Sequence, residues 1–490
     1  MGRGPFHALS SVLLAASMLL CQPGTAASDL SDQEIRGRAL FLTGRTDEPA
    51  PYAAVGAGNV QLPATAVPCG SCHGRDGLGG AERGGWPPNI TWPVLSAPDV
   101  TPGRTRPPYS ETLVVRAVTM GIDAGGNRLD PVMPRFHLSM ADAAALLAYI
   151  KRLGTLPEPG LDDHSLVLGT VLGPHDAAVG LALSAYLAKV NQDGGLFGRH
   201  LVLNVERPAP GEPLARSIGR LTKSATIFAL LAPAIAGDES NAVAAVDTYG
   251  VPMIGPSTPS TQIAPRSRYV FYLNGGVEAE ARALAGFAAT LPGLPSIADD
   301  RTAVWHAAAL AAVAKLSADS KPLEPLRPDD PALFAGNGPV LWFADSAPNY
   351  DDIPAQTGIR PALLLPGALA ADVLSHNAPA QTWLAYTAGP PDIAADAVVE
   401  YRELVARYDL PRDDQPAQRQ ALAAAKIIVE ALRRAGREVT RDRLVDAMET
   451  LQDFHTGLIP PVSYSATRRI GTDGIWIVPL AGGRPIWWDR

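Results

Sequence analysis

The stretch Cys69-Gly70-Ser71-Cys72-His73 decides how this chain is read. Two thiols three residues apart lie about one helical turn from each other, and an imidazole follows the second directly. One short helix therefore presents two sulfurs and a ring nitrogen to the same flat ligand. This is the spacing at which a haem is attached covalently: each sulfur bonds a vinyl group on one porphyrin edge, and the adjacent histidine reaches the iron from one face. Cys69 and Cys72 are the expected attachment points and His73 the expected proximal iron ligand, for one haem c. A thioredoxin-like redox pair calls for a βαβ context, and a structural zinc site calls for a second Cys/His pair at defined spacing. Neither accompanies the motif, because the one other cysteine is Cys21.

The chain has 490 residues, too many for one small haem domain, and its 46 glycines and 46 prolines fit folded domains joined by Pro-rich connections. A formal net charge of −8 argues against nucleic acid or an anionic membrane surface as the main partner. Asp and Glu balance Lys and Arg between Ser28 and Thr155, so the acidic excess belongs to the rest of the chain, beyond Thr155. Residues 1–27 combine Arg3, an apolar run from Ala8 to Leu20 too short to span a bilayer, and small residues at Gly24-Thr25-Ala26-Ala27. That is the pattern of a secretory signal peptide; it predicts a periplasmic protein without a transmembrane segment in the mature chain. Cys21 follows Leu19 and Leu20, where a lipidation signal has a small residue, and cleavage after Ala26 or Ala27 leaves only Cys69 and Cys72.

Residues 28–155 read as the haem domain. Ser31-Asp32-Gln33-Glu34 is a capping box opening a helix that contains Gly37 and carries Ile35, Ala39 and Phe41. After the haem motif, Gly74, Gly77, Gly79, Gly80, Gly84, Gly85 and Pro87-Pro88 predict a loop that wraps the haem edge. Trp86, Asn89 and Trp92 in that loop either line the edge or pack a small core. A helix is expected from Ser110 to Met120, closed by Gly121, and another from Ser139 to Gly154. Between them lies Asp130-Pro131-Val132-Met133-Pro134-Arg135-Phe136. Iron with an imidazole on one face takes a sixth ligand, and a thioether on a proline-stiffened loop supplies one that raises the potential. Met133, between two prolines, is the predicted ligand; its rivals are Met120, Met140 and His137.

The order of helix, CxxCH, glycine-rich loop, Met-Pro loop and terminal helix resembles a class I cytochrome c domain, of the kind that accompanies bacterial periplasmic dehydrogenases. The resemblance implies an all-α domain whose first and last helices cross at a small residue and an aromatic, here Gly37 and Tyr149.

Leu156-Pro157-Glu158-Pro159-Gly160 begins a linker, residues 156–164, and predicts a haem domain that folds independently and stays near the binding cleft of a second region. From residue 165 to 490 apolar runs alternate with helical patterns: Ser165–Gly173, Asp176–Asn191, His200–Val205, Pro213–Ser224, Ala225–Leu231, Asp238–Tyr249 and Val251–Ile254. Such alternation implies a parallel sheet covered on both faces. The wording of Leu187 to Arg199, of Gly250 to Ser257, and of Ala421 to Gly436 followed by Thr440-Arg441-Asp442 is similar to that of the type 1 periplasmic solute-binding proteins, the group that includes branched-chain amino-acid receptors. That resemblance implies two Rossmann-like lobes joined by crossovers near Phe271–Asn274, Leu384–Gly389 and Thr456–Pro461, with a small-molecule ligand between the lobes. The matching ligand positions are Ser257, Thr258 and Asn274. The hydroxyl residue that grips a carboxylate in that family is replaced by Ala232-Pro233-Ala234-Ile235-Ala236, and the family's aspartate and Tyr-Gly pair have no match here, where Asn274, Trp305 and His306 stand in that neighbourhood; His306 is expected to be an ordinary core or surface histidine.

The expected protein is thus a multidomain, periplasmic, monohaem cytochrome fused to a bilobed α/β solute-binding domain, exchanging single electrons with a dehydrogenase or another cytochrome. With both axial positions filled, the iron has no open site for substrate, so electron transfer outranks catalysis. The rivals are a transport or sensing receptor with a secondary haem, and a haem enzyme of peroxidase or oxidase type.

Overall fold

A computed structural model describes residues 30–489 apart from 47–50, 80–86, 102–103, 156–157, 262–266, 318–322, 349–360, 371–380, 388–398 and 413–414. The expected signal peptide, Trp86, and Leu156 and Pro157 of the expected linker lie outside the described residues.

The first region is built on α1 (Asp32–Thr43), β1 (Tyr52–Val55), β2 (Val60–Pro63), α2 (Cys69–His73), α3 (Trp92–Leu95), β3 (Asp99–Thr101), β4 (Arg104–Arg106), α4 (Glu111–Met120), β5 (Arg135–His137) and α5 (Met140–Ile150). The capping box forms: the Ser31 hydroxyl accepts the Glu34 N–H, and the Glu34 carboxylate accepts the Ser31 N–H at 2.8 Å. Helices α1 and α5 cross at Gly37 and Tyr149. A Cβ on Gly37 would stand 1.9 Å from the Ala145 carbonyl oxygen, so the crossing needs glycine. Phe41 packs on Tyr149 with ring centroids 5.5 Å apart, in a core with Leu40, Val114, Phe136 and Ile150.

An all-α region is not what forms. β2-β1-β5 make an antiparallel sheet, with Ala53 opposite Phe136, and β3 pairs with β4. The cause is β5: residues 130–133 make a turn, closed by the Met133 N–H on the Asp130 carbonyl, and the short segment that follows Pro134 buries Phe136 and pairs with β1.

The second region has two six-stranded sheets. The first has the order β15-β10-β9-β8-β6-β7 and is parallel throughout. Its strands are β6 (Ser165–Val171), β7 (His200–Glu206), β8 (Ala229–Leu231), β9 (Met253–Ile254), β10 (Val270–Asn274) and β15 (Ile470–Thr472), joined through α6 (Ala177–Gln192), α7 (Leu214–Lys223) and α8 (Glu239–Tyr249). Alternate residues enter opposite cores, as the period of a strand requires: Phe271 and Leu273 meet Leu183 and Leu422, while Val270 and Tyr272 meet Ile218 and Val246. Each fully buried Leu, Ile or Phe of this kind contributes about 1.5–3 kcal/mol.

The second sheet has the order β11-β12-β13-β14-β16-β17. Its members are β11 (Ser296–Asp299), β12 (Val340–Phe343), β13 (Leu363–Pro366), β14 (Thr382–Tyr386), β16 (Ile475–Pro479) and β17 (Ile486–Trp488), with α9 (Gly276–Ala288) and α10 (Ala303–Leu316) packed on it. β11 to β14 run parallel, but β16 is antiparallel to β14 and β17 to β16, so this sheet is mixed. After β14 the chain returns to the first sheet through α11 (Val399–Tyr408), α12 (Gln415–Ala435) and α13 (Arg441–Glu449).

The chain leaves the first sheet after Asn274 and returns after Tyr386, near two of the expected crossovers. The third is not at 456–461. Leu458, Val462 and Tyr464 still pack in the first core, and β15 pairs with β10 before the chain passes to β16 between Thr472 and Ile475. Among the described residues, no helix is long and apolar enough to cross a membrane.

Candidate functional site

Pro68 opens α2 at the N-cap with extended backbone, and the five helical residues set the motif's side chains around one turn. Cys69 is half-buried, Cys72 is exposed and His73 is buried. The two thiols are not joined to each other, and burial pushes the Cys69 thiol up to about 12. The His73 ring has one described partner: Nδ1 lies 2.9 Å from the Pro88 carbonyl oxygen. A carbonyl only accepts, so Nδ1 carries the proton and Nε2 keeps a free lone pair. Burial holds the imidazole below its usual pKa, with the Pro88 bond opposing, and so favours the neutral ring that an iron requires. The sequence makes the glycine-rich stretch a wrap for the haem edge. Its second proline also orients the ligand ring, a role no side chain in the sequence advertises.

Met133 is half-buried against the same core as Cys69. Its N–H donates to the Asp130 carbonyl at 3.0 Å, and the Arg135 guanidinium donates to the carbonyls of Leu129 at 2.9 Å and of Met133. The Arg135 group passes over Gly121, where a Cβ would stand 1.7 Å from its Nε. The loop is therefore held from behind by a residue whose side chain crosses the end of α4. The rivals face elsewhere: Met120 is 64% exposed, Met140 is 92% exposed, and the exposed His137 stacks on Tyr52 at 4.2 Å. Asn89 gives its side-chain oxygen to the Thr91 N–H at 2.9 Å, and Trp92 packs on the core beneath Lys151, whose Nζ is 5.5 Å from the ring centre. The donor set of two thiols on one helix, a neutral imidazole and a nearby thioether fits a covalently held haem.

The first sheet brings Ser257, Thr258 and Asn274 to one edge, past the carboxyl ends of β9 and β10, where parallel α/β sheets bind ligands. Ser257 is exposed, and its backbone joins Pro233 and Ile235 at 2.8 and 3.0 Å. Thr258 and Asn274 are engaged locally. The Thr258 hydroxyl lies 2.8 Å from Glu239 Oε1, and Asn274 Oδ1 accepts the Gly276 N–H at 3.1 Å.

Sequence reasoning passes over two buried glutamates in the first turns of α9. Glu278 accepts from the Ser260 hydroxyl. Glu280 accepts the Thr387 N–H at 2.9 Å and is pushed up to about 8 by burial. Their helical position resembles that of any amphipathic helix, so the sequence carries no signal for them. His306, expected to be an ordinary histidine, is half-exposed and bonds buried Asp299 at 2.6 Å past the carboxyl end of β11.

The haem-motif region is not a loose appendage. The Arg75 N–H donates to Asp442 Oδ2 at 2.6 Å, and the Thr440 hydroxyl donates to Asp76 Oδ2 at 3.0 Å. The Arg75 guanidinium lies 5.6 Å over the Tyr269 ring. Tyr269 precedes β10, and Arg441 bonds Ile227 and Phe228 just ahead of β8, so this contact is at the amino edge of the first sheet. The expectation of a haem domain beside the cleft is corrected: it meets the edge opposite to the one carrying Ser257 and Asn274. Gly160 of the linker is also fixed there, its carbonyl accepting the Val167 N–H at 2.7 Å.

Residues 64–154 match the family model for cytochrome c. No curated protein matches the chain. Among solved structures, the chain is similar to a substrate-binding periplasmic protein from Ralstonia solanacearum, at 20% identity and a TM-score of 0.51, over 66% of this chain and 100% of that one. It is also similar to an ABC transporter substrate-binding protein from Desulfitobacterium hafniense in complex with Leu, at 16% identity and a TM-score of 0.50, again over 66% and 100%. At these identities the likeness is one of fold. The chain therefore joins a cytochrome c domain to an α/β region with the fold of the type 1 periplasmic binding proteins.

Proposed function

We propose that the protein is a periplasmic monohaem c-type cytochrome that passes single electrons to or from a dehydrogenase or another cytochrome, and that it carries a solute-binding domain on the same chain. In this reading residues 1–27 are a signal peptide, 28–155 the haem domain, 156–164 a linker and 165–490 a bilobed binding domain whose lobes are the two sheets. Cys69 and Cys72 would hold the haem through thioether bonds, and His73 and Met133 would be the residues that ligate its iron. The bound group supplies one-electron chemistry at iron. The observation that carries the reading is the buried His73 ring, proton directed to Pro88 and lone pair free.

The side chains divide the work. His73 would bind iron through Nε2, with its tautomer fixed by Pro88, and Arg135 holds the loop from which the Met133 thioether, a soft donor that favours ferrous iron, would reach it. A small-molecule ligand in the cleft would meet the Ser257 hydroxyl and main-chain groups, since Thr258 and Asn274 are engaged in their own loops. Protein from a cytochrome-maturing host is expected to keep its haem through acid-acetone extraction. Met133→Ala is expected to keep the haem, lose the low-spin ferric spectrum and lower the midpoint potential, while His137→Ala changes neither. Haem released into the solvent overturns the attachment, and reversed results for the two variants make His137 the sixth ligand.

A further inference from the structure

Three consecutive residues at the start of α13 face two ways. Thr440, the N-cap, accepts the Arg443 N–H at 3.2 Å and gives its own proton to Asp76 Oδ2. Asp442 is buried. Its Oδ2 accepts the Arg75 N–H, and its Oδ1 lies 3.3 Å from Arg268 Nη1. Between them Arg441 points the opposite way, donating from Nε to the Phe228 carbonyl at 2.9 Å and from Nη2 to the Ile227 carbonyl at 2.7 Å. The outer two residues hold the first region, and the middle one is rooted in the sheet.

What they hold is the turn directly after His73. In it Asp76 Oδ1 accepts the Leu78 N–H at 3.0 Å, the Gly77 N–H donates to Gly74 O at 3.2 Å, and the Gly79 N–H donates to His73 O at 2.8 Å. The Ile90 N–H donates to the Gly77 carbonyl at 2.8 Å, which ties this turn to the segment of Pro88, whose carbonyl orients the His73 ring. A short turn containing Gly74, Gly77 and Gly79 has little order of its own. Both holds are hydrogen bonds to a carboxylate, about twice as strong as neutral ones, and the Arg75–Asp442 bond is the shorter of the two.

We propose that Thr440 and Asp442 are positioning residues of the haem site: the binding-protein-like region, through the start of α13, fixes the turn that follows the proximal histidine and so completes the haem environment. The inference rests on the haem reading of Cys69, Cys72 and His73. It makes the first sheet a structural part of the redox centre while its carboxyl edge stays clear of it.

The test uses the full-length haem-loaded protein with Thr440→Val, Asp442→Asn and, as the conservative control, Thr440→Ser. Amide exchange of Arg75 to Leu78 is expected to rise roughly tenfold in the first two, as the loss of one charge-assisted bond implies, and to stay at the wild-type rate in the control. Haem stays covalently bound in all three. The midpoint potential is expected to shift in both disrupting variants and to rise in Asp442→Asn, where lost negative charge disfavours ferric iron. Thr440→Val changes no charge at that position, so its shift comes from the released turn and the uncapped start of α13. Bound haem with exchange and potential unchanged in both overturns this inference and leaves the haem reading standing. Wild-type protein that releases its haem in acid-acetone overturns both.

Discussion

The two edges of the first sheet do opposite things. Its amino edge is committed to another part of the chain: Arg441 fills the approach to β8, Tyr269 lies under Arg75, and Thr440 and Asp442 bond the turn after the haem motif. Its carboxyl edge is bonded within its own loops, with Thr258 turned to Glu239, Asn274 to Gly276 and Ser257 exposed. Strands of a parallel sheet share one direction, so loops at the carboxyl ends are the ones available to ligands and those at the amino ends serve packing. Here the haem-motif region is packed on the amino end, and the loops at the carboxyl end are left clear of it.

The largest test of this contrast is Arg441→Ala. It strips buried carbonyls of their donors and removes the root of the contact, and is expected to lower stability by about 3–5 kcal/mol, read from the urea midpoint. A loss below about 1 kcal/mol would mean that the amino edge is as loosely built as a surface loop.

Glu280→Gln probes the other side, where the carboxyl joins α9 to the residue after β14. The folded-state pKa is about 8, above an ordinary value of 4.5, so the folded protein keeps a proton that the unfolded chain gives up. Stability contributed by that group is present below pH about 4.5 and is lost as pH rises to about 8. Glutamine accepts the same N–H without titrating. The variant is expected to gain on the wild type through this window, by on the order of 2–4 kcal/mol at its top, in thermal unfolding followed against pH. An advantage independent of pH would place the proton elsewhere.

Gly37→Ala sets a methyl group against the Ala145 carbonyl, and is expected to cost about 1–3 kcal/mol while leaving the haem attached. It disturbs the first region's own core, so unfolding of the sheets should move less than the haem spectrum. The smallest effect is expected from Ser257→Ala, within about 0.5 kcal/mol of wild type in stability because the residue is exposed. Calorimetry with a cleft ligand in hand should show weaker binding, and an unchanged affinity would restrict recognition at this loop to the backbone.

The parts legible in the sequence are those whose signal is local. The spacing of Cys69, Cys72 and His73, the caps at Ser31, Ser110 and Ser139, and the extended strands of the first sheet all follow from neighbours a few residues apart. The Gly37–Tyr149 crossing was legible through resemblance. The parts that were not legible depend on distant partners or on main-chain atoms. The Pro88 carbonyl leaves no side-chain trace, β15 and β16 are too short to mark a crossover at Asp473-Gly474, and β5 becomes a strand only because β1 is beside it. Thr440-Arg441-Asp442 stands out only as part of the resemblance to the binding proteins, and nothing in it marks a contact with the turn after His73. The independence of the two regions, inferred from a proline-containing linker, overlooked bonds made elsewhere.

The Arg75–Asp442 bond joins residues 367 positions apart. During synthesis the haem motif and the helices that enclose it emerge early, whereas α13 is among the last elements made and β15, which completes the first sheet, comes after it. Until α13 is made, the turn after His73 lacks the partners Thr440 and Asp442. A chain cut before residue 440 would lose both bonded holds on the turn after His73 while keeping the contact of Arg75 with Tyr269, so the order of elements makes α13 a condition for the full docking of the haem-motif region.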